Sequence, residues 1–177
     1  MRAVVVYESM YGNTRAVAEA IGEGLRTVHE VDVVPVGRAA PELVAGAGLL
    51  VVGGPTHAHG MTRPSTRQGA VQDARKPGSG LSLEEGADGP GVREWLASLG
   101  HLGIPAAAFD TRVNAPAALT GRASKGISRA LAHQGALVTA APESFLVTWH
   151  NALEPGEEAR ARQWGQRLAA RALARSG

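Results

Sequence analysis

Six consecutive residues carry the densest chemistry in the chain. Ser9-Met10-Tyr11-Gly12-Asn13-Thr14 supplies two aliphatic hydroxyls, an amide and a glycine, one residue after the apolar run Val4-Val5-Val6-Tyr7. A helical pattern begins on the far side of this segment. Backbone N–H groups at a helix start have no intrahelical partner and point outward. The helix dipole adds partial positive charge there, up to ~1–2 kcal/mol for an anion in favourable geometry. Ser9, Asn13 and Thr14 add side-chain donors, and Gly12 lets a bulky ligand approach the backbone. The segment therefore reads as a phosphate cradle. The same residues also read as a plain helix cap through Asn13 or Ser9, with no ligand. The chain has no G-x-x-x-x-G-K-[ST] and no G-x-G-x-x-G after its first strand, which argues against those two nucleotide-binding loops.

Two further segments are candidates. Gly53-Gly54-Pro55-Thr56-His57-Ala58-His59-Gly60-Met61 carries a turn set by glycine and proline, with two imidazoles two residues apart. A metal site needs more ligands, and no Cys, Asp or Glu lies nearby, so no metal is expected. The imidazoles are read as structural or as contacts to an organic ligand. Asp110-Thr111-Arg112-Val113-Asn114 forms the third segment, where Arg112 pairs with Asp110, faces solvent or meets an anion. Trp149 and His150 either border the same rim or pack a loop against the sheet. No protein nucleophile or obligatory general acid is assigned, although His57 or His59 could donate a proton near neutral pH. With no cysteine, disulfides, thiol catalysis and iron–sulfur ligation fall away. Redox chemistry would have to come from an organic cofactor or a non-thiolate metal.

Alternating strand and helix patterns position these segments. Strands are expected at Ala3 to Tyr7, Val31 to Val36, Leu49 to Val52, Pro105 to Phe109 and within Ala136 to Val147. Pro142 predicts an edge position or a break in the last of them. Helices are expected at Thr14 to Thr27, from Pro41 to Val44, from Val92 through Leu99, at Ala123 to His133 and at Glu157 to Ala174. In the first, Val17, Ile21, Leu25 and Val28 form one apolar stripe; in the last, Trp164, Leu168 and Leu173 do. The alternation predicts a parallel sheet with helices on both faces and right-handed crossovers. Gln68 to Gly91 is expected as a long, mobile loop.

Composition narrows the function classes. Of 177 residues, 44% are hydrophobic and the formal net charge is +2, ordinary values for a globular domain. Arg160, Arg162, Arg167, Arg171 and Arg175 are read as a solvated helix face. Aromatic residues are only 4%, which argues against a nucleic-acid stacking platform. No apolar run suits a membrane span, and the start does not read as a signal peptide, so a cytoplasmic location is expected.

The segment Ser9-Met10-Tyr11-Gly12-Asn13-Thr14, a hydroxyl-bearing loop ending in Gly-x-Thr after the first strand, resembles the signature of the flavodoxin family. Its Ser-Met-Tyr-Gly part is also similar to the related NAD(P)H:quinone oxidoreductases. The resemblance implies an α/β fold throughout 1–177, a doubly wound five-stranded parallel sheet in the order 2-1-3-4-5. It implies FMN, with Ser9, Met10, Tyr11, Gly12, Asn13 and Thr14 at the phosphate. Pro55, Thr56, His57, Ala58, His59 and Gly60 would lie along the ring, and Asp110, Thr111 and Arg112 at its pyrimidine edge. The chain departs from the family in lacking the usual stacking aromatics and acidic residues near that edge, and it is not acidic overall. Arg112 there would favour two-electron over one-electron chemistry. Three functions follow: an electron-transfer protein with a redox partner protein, an oxidoreductase passing electrons from NAD(P)H to a small quinone-type acceptor, or a flavin-free binding module. The reading leaves a homodimer open.

Overall fold

The computed structural model describes residues 1–174, without the Leu173 side chain. The expectations for Leu173 and Arg175 therefore lie outside the described residues. The strands are β1 (Arg2–Tyr7), β2 (Glu30–Pro35), β3 (Leu49–His57), β4 (Gly60–Met61), β5 (Pro105–Val113), β6 (Leu137–Val138) and β7 (Glu143–Val147). The helices are α1 (Asn13–Leu25), α2 (Pro41–Ala45), α3 (Pro64–Arg75), α4 (Val92–Ser98), α5 (Ala117–Thr120), α6 (Ala123–His133) and α7 (Glu157–Ala174).

The parallel sheet runs β2-β1-β3-β5, and β6 and β7 both pair with β5. The fifth position of the expected order is thus filled by one strand broken in two. Leu137–Val138 pairs with the start of β5 and Glu143–Val147 with its end, and Pro142 lies in the gap. Proline lacks the N–H that an unbroken ladder would need, so the interruption has a local cause. One addition was not anticipated: β3 runs on to His57 and turns back antiparallel into β4.

Alternation along the strands sends side chains to two cores. Ala3, Val5, Tyr7, Val51, Ala107 and Phe109 face α1 and α7. Val4, Val6, Leu50, Val52, Ala106 and Ala108 meet α4 and α6 on the other side. Strands buried on both faces read as continuous apolar runs, which is how β1 and β3 appear in the sequence. Gly24 and Gly165 let α1 and α7 nearly touch, since a Cβ on either would collide with the partner helix backbone. This contact fixes the helix whose first turn carries the candidate cradle. The expected stripe ends one member early: α1 stops at Leu25, and Val28 is 40% exposed.

The expected loop from Gln68 starts inside a helix. Pro64 occupies the first turn of α3, and the Thr66 hydroxyl accepts the Arg63 N–H at 2.8 Å. The helix was hidden because it buries only Arg67 and Ala70, too few positions to write an apolar stripe. The remainder, 76–91, is fastened to the cradle segment: the Glu84 N–H donates to the Met10 carbonyl at 2.9 Å, and Met10, Ala70 and Ala87 bury together. The arginines of α7 also do more than face solvent. Arg160 binds Glu143 and Glu157 and lies 4.4 Å over the Phe145 ring, while Arg162 pairs with Glu23. Among the described residues, no helix is long and apolar enough to cross a membrane.

Candidate functional site

The three candidate segments meet at the carboxyl ends of β1, β3 and β5. Gly12 caps α1 in the left-handed region, with φ 99°. That conformation suits glycine and costs other residues about 1–3 kcal/mol. Ser9 accepts the Gly12 N–H at 3.1 Å, closing the turn and keeping its own hydroxyl hydrogen free to donate. Among the described residues, the N–H groups of Tyr11, Asn13 and Thr14 meet no protein acceptor. The cradle is therefore built from donors left open at a helix start.

Its side chains are held from neighbouring loops. The Thr14 hydroxyl, 2% exposed, lies 2.8 Å from the Thr111 hydroxyl. One of the pair donates to the other, so one hydroxyl hydrogen stays available. The Asn13 amide donates to the side chain and carbonyl of Asn151 at 2.9 and 3.1 Å, and Asn151 sits in the left-handed region. Tyr11 donates to the Ala70 carbonyl at 2.9 Å. Met10 is buried beneath the loop as packing. Thus Thr14 from the first turn of α1 and Thr111 from β5 converge, while Tyr11 and Asn13 are tied to structure.

In the second segment, Ala58 and His59 both have positive φ, 45° and 71°, at the tip of the β3–β4 hairpin. A two-residue turn with both centres left-handed matches the twist of a hairpin, although Asn-Gly is its usual sequence. Gly121 supports the tip, and a Cβ there would collide with the His59 backbone. His57 is half-buried with its pKa lowered by that burial, so it is neutral at pH 7; His59 is exposed. Thr56 does not turn to the rim. Its hydroxyl accepts the Ala123 N–H at 2.9 Å, and Asp110 accepts the Ser124 N–H at 2.7 Å. The two side chains together cap α6, a role invisible in sequence because both come from distant strands.

Arg112 neither pairs with Asp110 nor lies open to solvent. Its guanidinium donates to the carbonyls of Ala115 and Val113 at 2.6 and 3.3 Å, fixing the turn after β5. Trp149 does not pack its loop against the sheet: it is 76% exposed, two residues from the Asn151 that holds Asn13. Among the described residues, no cluster of three or more His, Asp or Glu is placed to hold a metal.

The sequence reading missed a buried acid beneath the cradle. Glu8 is 5% exposed; its carboxylate accepts the Thr62 hydroxyl and, at 2.8 Å, the Val92 N–H. Arg67 reaches the same Thr62 and pairs with Glu94 at 3.0 Å. The only sequence signal was a carboxylate immediately after a fully apolar strand. Burial raises the Glu8 pKa above its ordinary 4.5, outweighing the two hydrogen bonds and Arg67. The fold therefore binds more protons than the unfolded chain between those values, and stability falls as pH rises through the raised value. Glu8→Gln is expected to remove this slope: melting temperatures of the two proteins should diverge in the variant's favour as pH rises from 4.5, and parallel curves would refute the assignment.

Comparisons with known proteins accord with this geometry. A family model described as Flavodoxin matches residues 5–93. No curated protein matches. Among solved structures, the chain resembles a flavodoxin from the domain Archaea with 22% identity and a TM-score of 0.66, covering 97% of this chain and 99% of that one. Flavodoxin 1 from Bacillus cereus is similar at 18% identity and a TM-score of 0.64, over 98% of each chain. A WrbA-like flavodoxin from Agrobacterium tumefaciens follows at 17% identity and 0.61, again over 98% of each. At these identities the structural likeness speaks for the fold alone.

Proposed function

The chain belongs to the flavodoxin family, and from that premise we propose that it binds FMN at the α1 start and works as a redox protein. The observation that carries this reading is the set of open N–H groups at Tyr11, Asn13 and Thr14, beside the buried hydroxyl pair of Thr14 and Thr111. These donors suit a phosphate dianion better than an apolar or cationic group. Bound FMN would supply the electron-accepting and electron-donating chemistry.

The chain's own residues position and tune. Ser9, Gly12, Asn13 and Thr14 would hold the phosphate. Pro55 to Gly60 would present the hairpin edge to the ring, and its strained tip is held in place by Gly121. Trp149 is an exposed aromatic two residues from Asn151, which holds Asn13 at the cradle, and would cover part of the ring. Arg112 keeps a half-buried positive charge next to Thr111, which favours the more negative reduced state and two-electron chemistry.

Two acceptors fit this reading: a redox partner protein or a small quinone. The second has a specific observation in its favour. His57 and His59 crown the ring-side hairpin, whereas acidic residues, the usual docking charge of the family, are absent from residues 53–61 and 111–122.

The experiment is a titration of apoprotein with FMN, followed by flavin fluorescence. Saturable one-to-one quenching at micromolar concentration or below is expected. Failure to saturate would overturn the flavin reading and leave a flavin-free binding module. With FMN bound, a potentiometric titration is expected to show one two-electron step, and two separated one-electron steps would remove the role given to Arg112. Steady turnover of NADH or NADPH with a quinone, with no second protein, would assign the oxidoreductase; its absence would assign the carrier.

A further inference from the structure

On the far side of the β3–β4 hairpin lies a groove of about 640 Å3, walled by the hairpin on one side and by α5 and α6 on the other. Its charged lining is Arg93, Arg122, Lys125 and Arg129, with His59 at the rim and no carboxylate. Among the described residues, none of these four cations forms a salt bridge. The accumulation is local, since the whole chain carries a formal net charge of only +2. Helices α5 and α6 contain no acidic residue, and neither does the hairpin. The nearby acids are spent elsewhere: Asp110 caps α6 from inside, and Glu94 pairs with Arg67.

The cations are set in two ways. Arg93 is anchored by donating to the carbonyls of Thr62 and Met61 at 3.1 and 3.0 Å. Arg122 is anchored on Ser144 at 2.9 Å and on the Pro142 carbonyl. Each keeps a terminal nitrogen uncommitted, and a guanidinium already fixed loses little freedom on binding an anion. Lys125 and Arg129 are exposed, four residues apart on one face of α6, and free to close over a ligand. Gly121 and Gly126 bring the walls together, since a Cβ on Gly126 would lie 3.3 Å from the Met61 side chain.

We propose that this groove is a second anion site, taking a phosphate-bearing small molecule of nucleotide size. Four cations converging on a concave space floored by glycine and alanine suit a compact polyanion. A protein partner would meet a flatter face, and a single-stranded nucleic acid would need stacking aromatics, which the groove lacks. The site shares its His59 turn with the proposed ring side of the hairpin, so its meaning for electron transfer rests on the FMN reading. Its ability to bind does not.

The test titrates ADP calorimetrically into the purified full chain, with and without added FMN, at about 0.15 M salt. Saturable one-to-one binding is expected in both states. Lys125→Glu with Arg129→Glu should weaken it at least about tenfold, which is ~1.4 kcal/mol, and leave FMN affinity and melting temperature unchanged. Four results would overturn the proposal: no ADP binding, binding insensitive to the double substitution, ADP displaced by FMN, or binding of polyglutamate or an oligonucleotide in place of ADP. If FMN fails to bind but ADP binding is lost in the variant, the groove stands and the flavin reading falls.

Discussion

Thr14→Val is expected to weaken FMN binding by about 10- to 100-fold while the protein stays folded. The side chain keeps its shape and loses only its hydroxyl. That hydroxyl and the one on Thr111 lie 2.8 Å apart at the first turn of α1, both buried. The pair has two hydrogens and uses one between its members, so the remaining one points to whatever anion sits at the helix start. A hydrogen bond to a charged group contributes about 1.5–3 kcal/mol, which is roughly 10- to 150-fold in affinity. Valine also leaves Thr111 without its partner, at a stability cost near 1 kcal/mol. Thr14→Ser restores the hydroxyl and should restore most of the affinity. Asn13→Ala should do less, because its amide is spent on Asn151 and its backbone N–H survives the change. Fluorescence titration of the three variants gives the ranking. If Thr14→Val binds FMN as the unaltered protein does, the phosphate lies elsewhere.

Local pattern made this cradle readable, and distance in sequence hid the rest of the site. A strand, a polar turn with glycine and a helix start are adjacent in the chain, so their geometry follows from backbone rules alone. The proline break between β6 and β7 was legible for the same reason. The roles of Thr56 and Asp110 were not: both cap α6, and that pairing exists only once β3 and β5 lie side by side. Glu8 is a similar case. Its partners Thr62 and Val92 come from two other segments, and nothing beside it in sequence announces a buried acid. Arg112 was read toward Asp110 or outward because neighbours in sequence are the visible options. In the fold, however, Asp110 is committed to the Ser124 N–H at the start of α6, and the guanidinium turns to the carbonyls at and beyond the strand end. Helix α3 was lost through composition, since a helix with two buried positions carries almost no periodic signal.

The largest stability effect should come from Phe109→Ala, one residue before this rim. The first half of strand β5 is mostly alanine, and on the face toward α1 and α7 Phe109 fills the space that Ala107 leaves. Its ring lies over Gly53, where any Cβ would collide with it, so the glycine of the neighbouring strand is part of the same fit. It meets Phe145 and Trp164 edge-on, with centroids 6.2 and 6.4 Å away, and those two rings lie 6.2 Å from each other. Removing a buried phenylalanine costs about 3–5 kcal/mol. For a chain of this size each kcal/mol lowers the melting temperature by roughly 2–4 °C, so a fall of about 6–20 °C is expected by circular dichroism. Asp110 and Thr111 follow directly, so a cavity at Phe109 would also loosen the α6 cap and the Thr14 partner, and FMN affinity should fall with it. Trp149→Ala separates the two causes. That residue is 76% exposed, so its loss should leave stability within about 0.5 kcal/mol of unchanged. It should still weaken FMN binding if the indole covers the ring. A Phe109→Ala protein that melts within 3 °C of the original would mean that the surrounding alanines and rings collapse into the gap, and that this triad does not set the position of the β5 rim.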